Sequence, residues 1–243
     1  MEFKFLASYL LIIIALIYSY KEKLGIEKDI FVNSIRAFIQ LLVLGYILVY
    51  LFKLKNPFEL LGVLFFMVLF ATFTAQKRIK IKHKGYITAF LSIFISSFIV
   101  LFSLILLKII TFKPNEIIPV GGMIIGNSLN IYTLTVDRLK SEVKNTITII
   151  EGMVALGASL KKALHIPTKE AVKAALIPTV NSLQTVGIIH IPGVTTGMLL
   201  AGAEPLTAVS YQLVIMYMMV AVALFTGIFT ILFSYKKIVR TVF

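Results

Sequence analysis

The sequence predicts an all-α polytopic membrane protein with about seven transmembrane helices. Of its 243 residues, 59% are hydrophobic, and the mean hydropathy is +0.97. Only 14% are charged, whereas about a quarter are charged in a soluble globular domain. This polar surface is too small to cover a water-soluble body of such a size. The apolar runs lack the period-two alternation of a membrane barrel, so helices are expected.

Seven apolar runs approach or exceed the roughly 20 residues that a helix needs to cross the hydrocarbon core. We interpret the first run as a retained span and not as a signal peptide, because Lys21 and Lys23 follow it instead of preceding it. The expected spans are residues 3–20, 31–52, 58–76, 85–109, 117–136, 171–191 and 206–234.

The formal net charge of +13 is distributed unevenly about these spans. With seven spans, 18 of the 24 Lys and Arg residues fall on one side and five on the other, while Arg36 lies inside a span. Because cytoplasmic loops are enriched in Lys and Arg, this asymmetry predicts an external N-terminus and a cytoplasmic C-terminus. The charge is thereby explained without nucleic acid, which we do not expect as a partner.

Residues 121–128, "GGMIIGNS", have the glycine spacing of a nucleotide-binding P-loop, with Asn127 in place of the lysine. A P-loop needs a strand, a turn and a helix in an aqueous domain, whereas this stretch lies in an apolar run just after Pro119. We therefore expect no bound nucleotide and no other cofactor. Close packing between membrane helices explains the glycines better. The chain also has no cysteine, which excludes disulfides and thiolate metal sites.

Polar residues recur at helical spacing inside the fifth and sixth predicted spans, and a smaller set lies in the second. An amide in hydrocarbon is unfavourable unless it is paired, so these side chains are expected to point into the helix bundle. There they either join helices or line a path, and two such helices together favour a path. The predicted pathway residues are Asn127, Asn130, Tyr132, Asn181, Gln184, Thr185, Arg36 and Gln40.

Segment 137–170 is the only long polar piece and is predicted to form one or two amphipathic helices at the cytoplasmic surface. It is either a connector that lies on anionic lipid or a docking element for a soluble partner. On the opposite side, the apolar loop 191–205 is expected to form a short re-entrant hairpin or an interfacial helix.

The stretch "EGMVALGAS" at 151–159 has a Glu-x5-Gly spacing that resembles the cytoplasmic loop of many ABC transporter permeases. Together with "RAFIQLLVLGYIL", "GGMIIGNSLNIYTLTVDRL" and "IPTVNSLQTVGIIHIPGVTTGMLLAGAEPLTAVSYQLVIMY", it resembles the FetB-type permease family over most of the chain.

That resemblance implies an ABC permease of the cytoplasmic membrane that exports iron or another metal, with plant relatives in aluminium tolerance. It implies one permease domain over residues 1–243 with a coupling segment at 137–170, a separate FetA-like ATP-binding subunit and a permease homodimer. Hydrolysis of ATP would then belong to the other subunit, so this chain is not itself expected to be an enzyme. The residues expected to couple to that subunit are Glu151, Gly157, Ala158 and Leu160.

Two questions stay open at the level of the sequence. His190, Met198 and Glu204 form a weak candidate metal set near the external side, although a lone histidine at a helix end is more often interfacial. No acidic residue lies deep in a span, so a neutral or chelated substrate fits more easily than a bare divalent ion. The alternative function is an ATP-independent carrier or channel, which would usually keep a titratable group in mid-membrane.

Overall fold

The described part of the computed structural model, residues 2–79, 81 and 85–242, is helical throughout, with one isolated β-bridge and no strand. This confirms the all-α class. The helices are α1 (Glu2–Lys21), α2 (Glu27–Leu51), α3 (Pro57–Ile79), α4 (Gly85–Leu106), α5 (Pro114–Asn145), α6 (Ile147–Ala155), α7 (Leu160–Ala163), α8 (His165–Thr185), α9 (Gly193–Leu200) and α10 (Pro205–Val242).

Residues 1–55 form one compact unit, in which α1 packs on α2. The rings of Tyr9 and Phe38 meet edge to face with centroids 6.1 Å apart. At the turn between the helices, the Ser19 hydroxyl donates a 2.7 Å hydrogen bond to the Glu27 carboxylate. No residue of α2 is buried, so this hairpin presents an apolar surface along the whole of α2.

Residues 56–243 form the second unit, whose central helix is α5. Helices α3, α4, α8 and α10 all pack against α5. Two apolar clusters fill the unit, one around Ile124, Val120 and Val222 and the other around Tyr132, Val136 and Leu139. Apart from Val222 of α10, these residues lie on α5 at helical spacing, which places them on the faces covered by neighbouring helices.

Five of the described helices are long and apolar enough to cross a membrane, namely α2, α3, α4, α5 and α10. The described apolar part of α1, Tyr9–Lys21, is shorter, and α8 is not among the candidates. The prediction of a multi-pass membrane protein is thereby supported, while the count of seven spans and their orientation stay predictions.

Several helices have ends that differ from the predicted spans, and α10 continues eight residues past position 234, to Val242. Helix α5 continues nine residues past position 136, to Asn145, since charged residues mark the membrane boundary but do not end a helix. Helix α8 begins at His165, before the expected 171, because Pro167 lies in its first turn, where the missing N–H has no intrahelical partner to lose. It ends at Thr185, before the expected 191, because Gly187 has a φ of +81° and closes a turn by donating to the His190 carbonyl at 3.0 Å.

The two segments predicted between spans are both partly helical. Segment 137–170 contains the end of α5, all of α6 and α7, and the first turns of α8. Within 191–205 lies α9, whose buried Thr195 hydroxyl donates to Oε1 of the buried Gln212 in α10 at 3.3 Å. Of the re-entrant hairpin and the interfacial helix expected there, the structure has a helix, which is hydrogen-bonded to α10 through Thr195. Its location at the membrane surface stays a prediction.

Candidate functional site

The predicted pathway residues Asn127 and Asn130 of α5 lie in different environments. Asn127 is half-buried, and its Nδ2 donates to the main-chain oxygen of Met219 in α10 at 3.0 Å. Asn130 is exposed, and no hydrogen bond joins its side-chain amide to the part of the chain that the structure describes. Asn127 therefore joins two helices, whereas Asn130 remains available to a solute or a partner.

Tyr132 lies on the opposite side of α5 from Asn130. Its side chain is completely buried, and its hydroxyl is 3.4 Å from the Thr88 hydroxyl of α4. The phenol is thus part of the packed interior of the unit. Its role in a path stays a prediction, and a path along the face of Asn130 would not reach it.

The predicted polar residues of α8 lie near its C-terminal end. Asn181 and Gln184 are exposed, and Thr185 is half-buried. The Thr185 hydroxyl donates to the Asn181 carbonyl at 2.9 Å and lies 3.3 Å from Nδ1 of His190. The helix is held to the bundle through its other face, where Ala171 and Ala175 are fully buried.

Arg36 and Gln40 lie one turn apart on α2, in the unit formed by residues 1–55, and both are exposed. Their spacing puts them on one face of that helix. Their place in a path stays a prediction.

One face of α5 has no helix of this unit packed over it. Pro119, Asn130 and Asp137 are exposed there, and a Cβ added to the half-buried Gly126 would meet no atom within 4 Å. Their separations of seven, four and seven residues place all four on a single helical face. Because an unpaired amide facing lipid is unfavourable, we expect protein or water to cover this open face of α5.

The interior of the unit holds a cluster of buried hydroxyls that the sequence analysis did not single out. The Thr226 hydroxyl of α10 lies 2.8 Å from Ser96 Oγ of α4 and 3.0 Å from Ser128 Oγ of α5. Ser97 Oγ lies 3.1 Å from the same Ser128 oxygen. These bonds join α4, α5 and α10 at one level. In the sequence, Ser92 precedes Ser96 by four residues and Thr230 follows Thr226 by four, and this helical spacing of hydroxyl residues could have indicated the cluster.

Helix α6 ends at a glycine-dependent cap. Gly157 has a φ of +89°, a conformation that costs a glycine little and other residues more. Its N–H donates to the Val154 carbonyl at 2.9 Å, and the Ala158 N–H donates to the Met153 carbonyl at 2.9 Å, which is the Schellman arrangement. The expected coupling residues Gly157 and Ala158 therefore shape the turn between α6 and α7.

The other expected coupling residues differ in exposure. Glu151 is exposed on α6, whereas Leu160 at the start of α7 is half-buried and packs on the apolar core. Leu156, which the sequence analysis passed over, is 92% exposed. Ile149 is also exposed, so α6 presents an apolar surface beside an acidic one.

The turn after α9 repeats the turn after α6. Residues 152–158 read "GMVALGA" and residues 197–203 read "GMLLAGA", and they follow "NSLN" in α5 and "NSLQ" in α8 respectively. Gly202 has a φ of +87°, and the Ala203 N–H donates to the Met198 carbonyl at 2.9 Å. Two polar helices are thus each followed by a short helix with the same cap, and these short helices lie at opposite ends of α8.

The candidate metal residues do not form a recognisable centre. His190 is exposed and contacts Thr185, Met198 is half-buried in α9, and Glu204 is exposed just before α10. Within the described ranges, no group of three or more His, Asp or Glu side chains is close enough to hold a metal ion. A metal role for these three residues stays a prediction.

The helices define the class of protein: an all-α protein with several membrane-spanning segments. The family model described as "Uncharacterised protein family (UPF0014)" matches residues 3–239. The chain belongs to this family of membrane proteins.

Curated relatives match along nearly the whole chain. "Probable iron export permease protein FetB" of Escherichia coli (strain K12) is 36% identical over 94% of this chain and 88% of the relative. "Protein ALUMINUM SENSITIVE 3" of Arabidopsis thaliana is 35% identical over 91% of this chain and 81% of its own length. "UPF0014 membrane protein YjkA" of Bacillus subtilis (strain 168) is 34% identical over 93% and 91% respectively. No solved structure matches the chain.

Proposed function

We propose that this chain is the permease subunit of an ATP-driven transporter that exports iron, another metal or a metal complex across the cytoplasmic membrane. The names of the bacterial and plant relatives support the substrate class. The observation that carries the proposal is the exposed apolar surface of α6. In the chain, α6 lies between α5 and α8, the helices that carry most of the predicted pathway residues. A FetA-like ATP-binding subunit would bind there and supply the energy.

Seven spans with an external N-terminus and a cytoplasmic C-terminus place α6 and α7 in the cytosol, where ATP is available. In this topology α1 and α8 also span the membrane, which with the five long apolar helices gives seven spans. Helix α9 then lies at the external end of α8. Because the chain has no cysteine, single introduced cysteines report sidedness without background. Leu156→Cys should react with an impermeant thiol reagent only from the cytosolic side, and Leu200→Cys only from outside.

The path proposed for the substrate runs along the open face of α5 and the exposed amides of α8. Asn130, Asn181 and Gln184 offer neutral oxygen and nitrogen atoms, which suit a chelated or neutral metal species better than a bare divalent ion. A second copy of the chain would cover the same face by two-fold symmetry, since each copy presents identical amides to the other. The homodimer is therefore part of the proposal.

The deciding experiment is metal flux in inside-out vesicles that contain this chain and the ATP-binding subunit. We expect uptake of iron that requires ATP, requires both subunits and stops in Glu151→Ala together with Leu156→Ala. A matched control, Leu200→Ala, changes the equivalent short helix at the other end of α8. Equal uptake by this chain alone, without ATP, would instead establish the ATP-independent carrier or channel.

A further inference from the structure

A large apolar cavity lies between α3, α4 and α5, away from the open face of α5. Its volume is about 590 Å³, which falls within the range of ligand cavities in proteins. Gly62 of α3 and Gly121 of α5 both line it, together with Phe65, Phe98 and Phe102. The last three side chains are about half exposed, so the cavity opens on the surface of the unit.

The walls of this cavity are built to hold a hydrocarbon chain. Along α4, the rings of Phe94, Phe98 and Phe102 stack with neighbouring centroids 6.0 Å apart and form one apolar wall. Ser97 is the one hydroxyl residue among the lining side chains, and its Oγ is engaged with Ser128 Oγ at 3.1 Å. A polar ligand would find no partner here.

Two exposed lysines lie in a chain segment that contributes one side chain to the cavity lining. Phe112, in the connection between α4 and α5, lines the cavity, and the exposed Lys113 follows it in the chain. Lys108 is exposed in the same short connection. The nearby acid is Glu116, whose carboxylate accepts a 2.6 Å hydrogen bond from the Thr111 N–H, so part of its charge is satisfied by the main chain.

We propose that this cavity is a phospholipid site, with one acyl chain between α3, α4 and α5 and the phosphate beside Lys113 and Lys108. The chain spans a membrane, so acyl chains are the medium that its apolar exterior meets. The cavity offers them an aromatic, fully apolar lining, and the two lysines complement an anionic headgroup. An apolar solute without a charged end would not interact with the lysines. A free anion would not be stabilised by the apolar cavity.

Gly62 provides the test, because a Cβ added there meets no atom within 4 Å and a larger side chain extends into the cavity. Native mass spectrometry of the full chain, purified from membranes in mild detergent, counts retained phospholipids. We expect about one tightly held lipid per chain, and a ratio of bound to free chain that falls at least about tenfold in Gly62→Leu. Gly45→Leu, at another glycine of an apolar helix with open space around it, should retain the lipid.

The same measurement on Lys113→Ala separates headgroup from acyl-chain recognition. We expect the retained lipid to shift from anionic phosphatidylglycerol to zwitterionic phosphatidylethanolamine, with Lys55→Ala as the matched control. If size-exclusion chromatography shows that Gly62→Leu is poorly folded, Leu101→Phe is used in its place, because it narrows the same cavity from α4. Wild-type protein that retains no phospholipid, or cavity variants that retain as much as wild type, would overturn the proposal.

Discussion

Truncating Leu156 tests the coupling surface most directly. This side chain is 92% exposed at the end of α6, so its removal leaves no cavity in the chain. If the ATP-binding subunit covers it, Leu156→Ala removes three buried carbon atoms from that interface. At about 0.8 kcal/mol for each, the loss is about 2 kcal/mol, which corresponds to about 30-fold in the Kd of the two subunits.

The assay is titration of the purified ATP-binding subunit onto the permease in nanodiscs, with thermal stability of the permease measured in parallel. The control is Leu200→Ala, since Leu200 is 85% exposed on α9, in the second copy of the same sequence pattern. We expect unchanged melting temperatures for both variants and weakened binding for Leu156→Ala alone. A Kd within about twofold of wild type for Leu156→Ala, or equal weakening by both variants, would refute α6 as the docking surface.

Changes at four further positions distinguish structural from functional residues. Gly157→Ala forces an alanine to a φ of +89° and should cost about 1 kcal/mol or more, seen as a lower melting temperature and weaker binding of the ATP-binding subunit. Thr226→Val removes the hydroxyl that bonds Ser96 and Ser128 and should cost about 1 to 2 kcal/mol in thermal stability, which Thr226→Ser should largely spare. Asn127→Leu should lower stability by about 1 kcal/mol through loss of its bond to Met219, whereas Asn181→Leu should leave stability unchanged and lower ATP-driven flux. If Asn181→Leu lowered stability and Asn127→Leu lowered only the flux, Asn181 would be the structural residue and Asn127 the pathway residue.

The long helices were predictable from the sequence because they depend on one property, the length of an apolar run. Helices α3, α5 and α10 each contain the run that predicts them, and α4 covers all but the last three residues of its run. The end of α8 was not predictable in that way. Residues 186–191 are mostly apolar and continue the run, but the positive φ of Gly187 turns the chain there, and composition does not distinguish a turning glycine from a packing one.

The residue types of the candidate site were predictable from the sequence, but the hydrogen-bond partners of those residues were not. The sequence indicates that amides in apolar helices are paired or line a path, but the choice depends on which helices are neighbours. Asn127 faces α10 and finds a main-chain oxygen, while Asn130, three residues later, has no such neighbour. The repeated caps after α6 and α9 were visible in the sequence as Gly-Met-x3-Gly-Ala, and a search for short repeats would have found them.

The buried hydroxyl cluster and the exposed amides of Asn130 and Asn181 lie on different sides of the bundle helices. The buried hydroxyls of Ser96, Ser128 and Thr226 bond one another inside the unit, and short side chains allow α4, α5 and α10 to approach closely there. The amides of Asn130 and Asn181 are outside. The hydrogen bonds of the buried hydroxyls join α4, α5 and α10, so a path between those three helices in one copy would require the bonds to break. A path on the exterior of that copy requires no such rearrangement, but it needs a second wall. That requirement, more than any likeness to relatives, is the physical reason to expect a two-fold assembly.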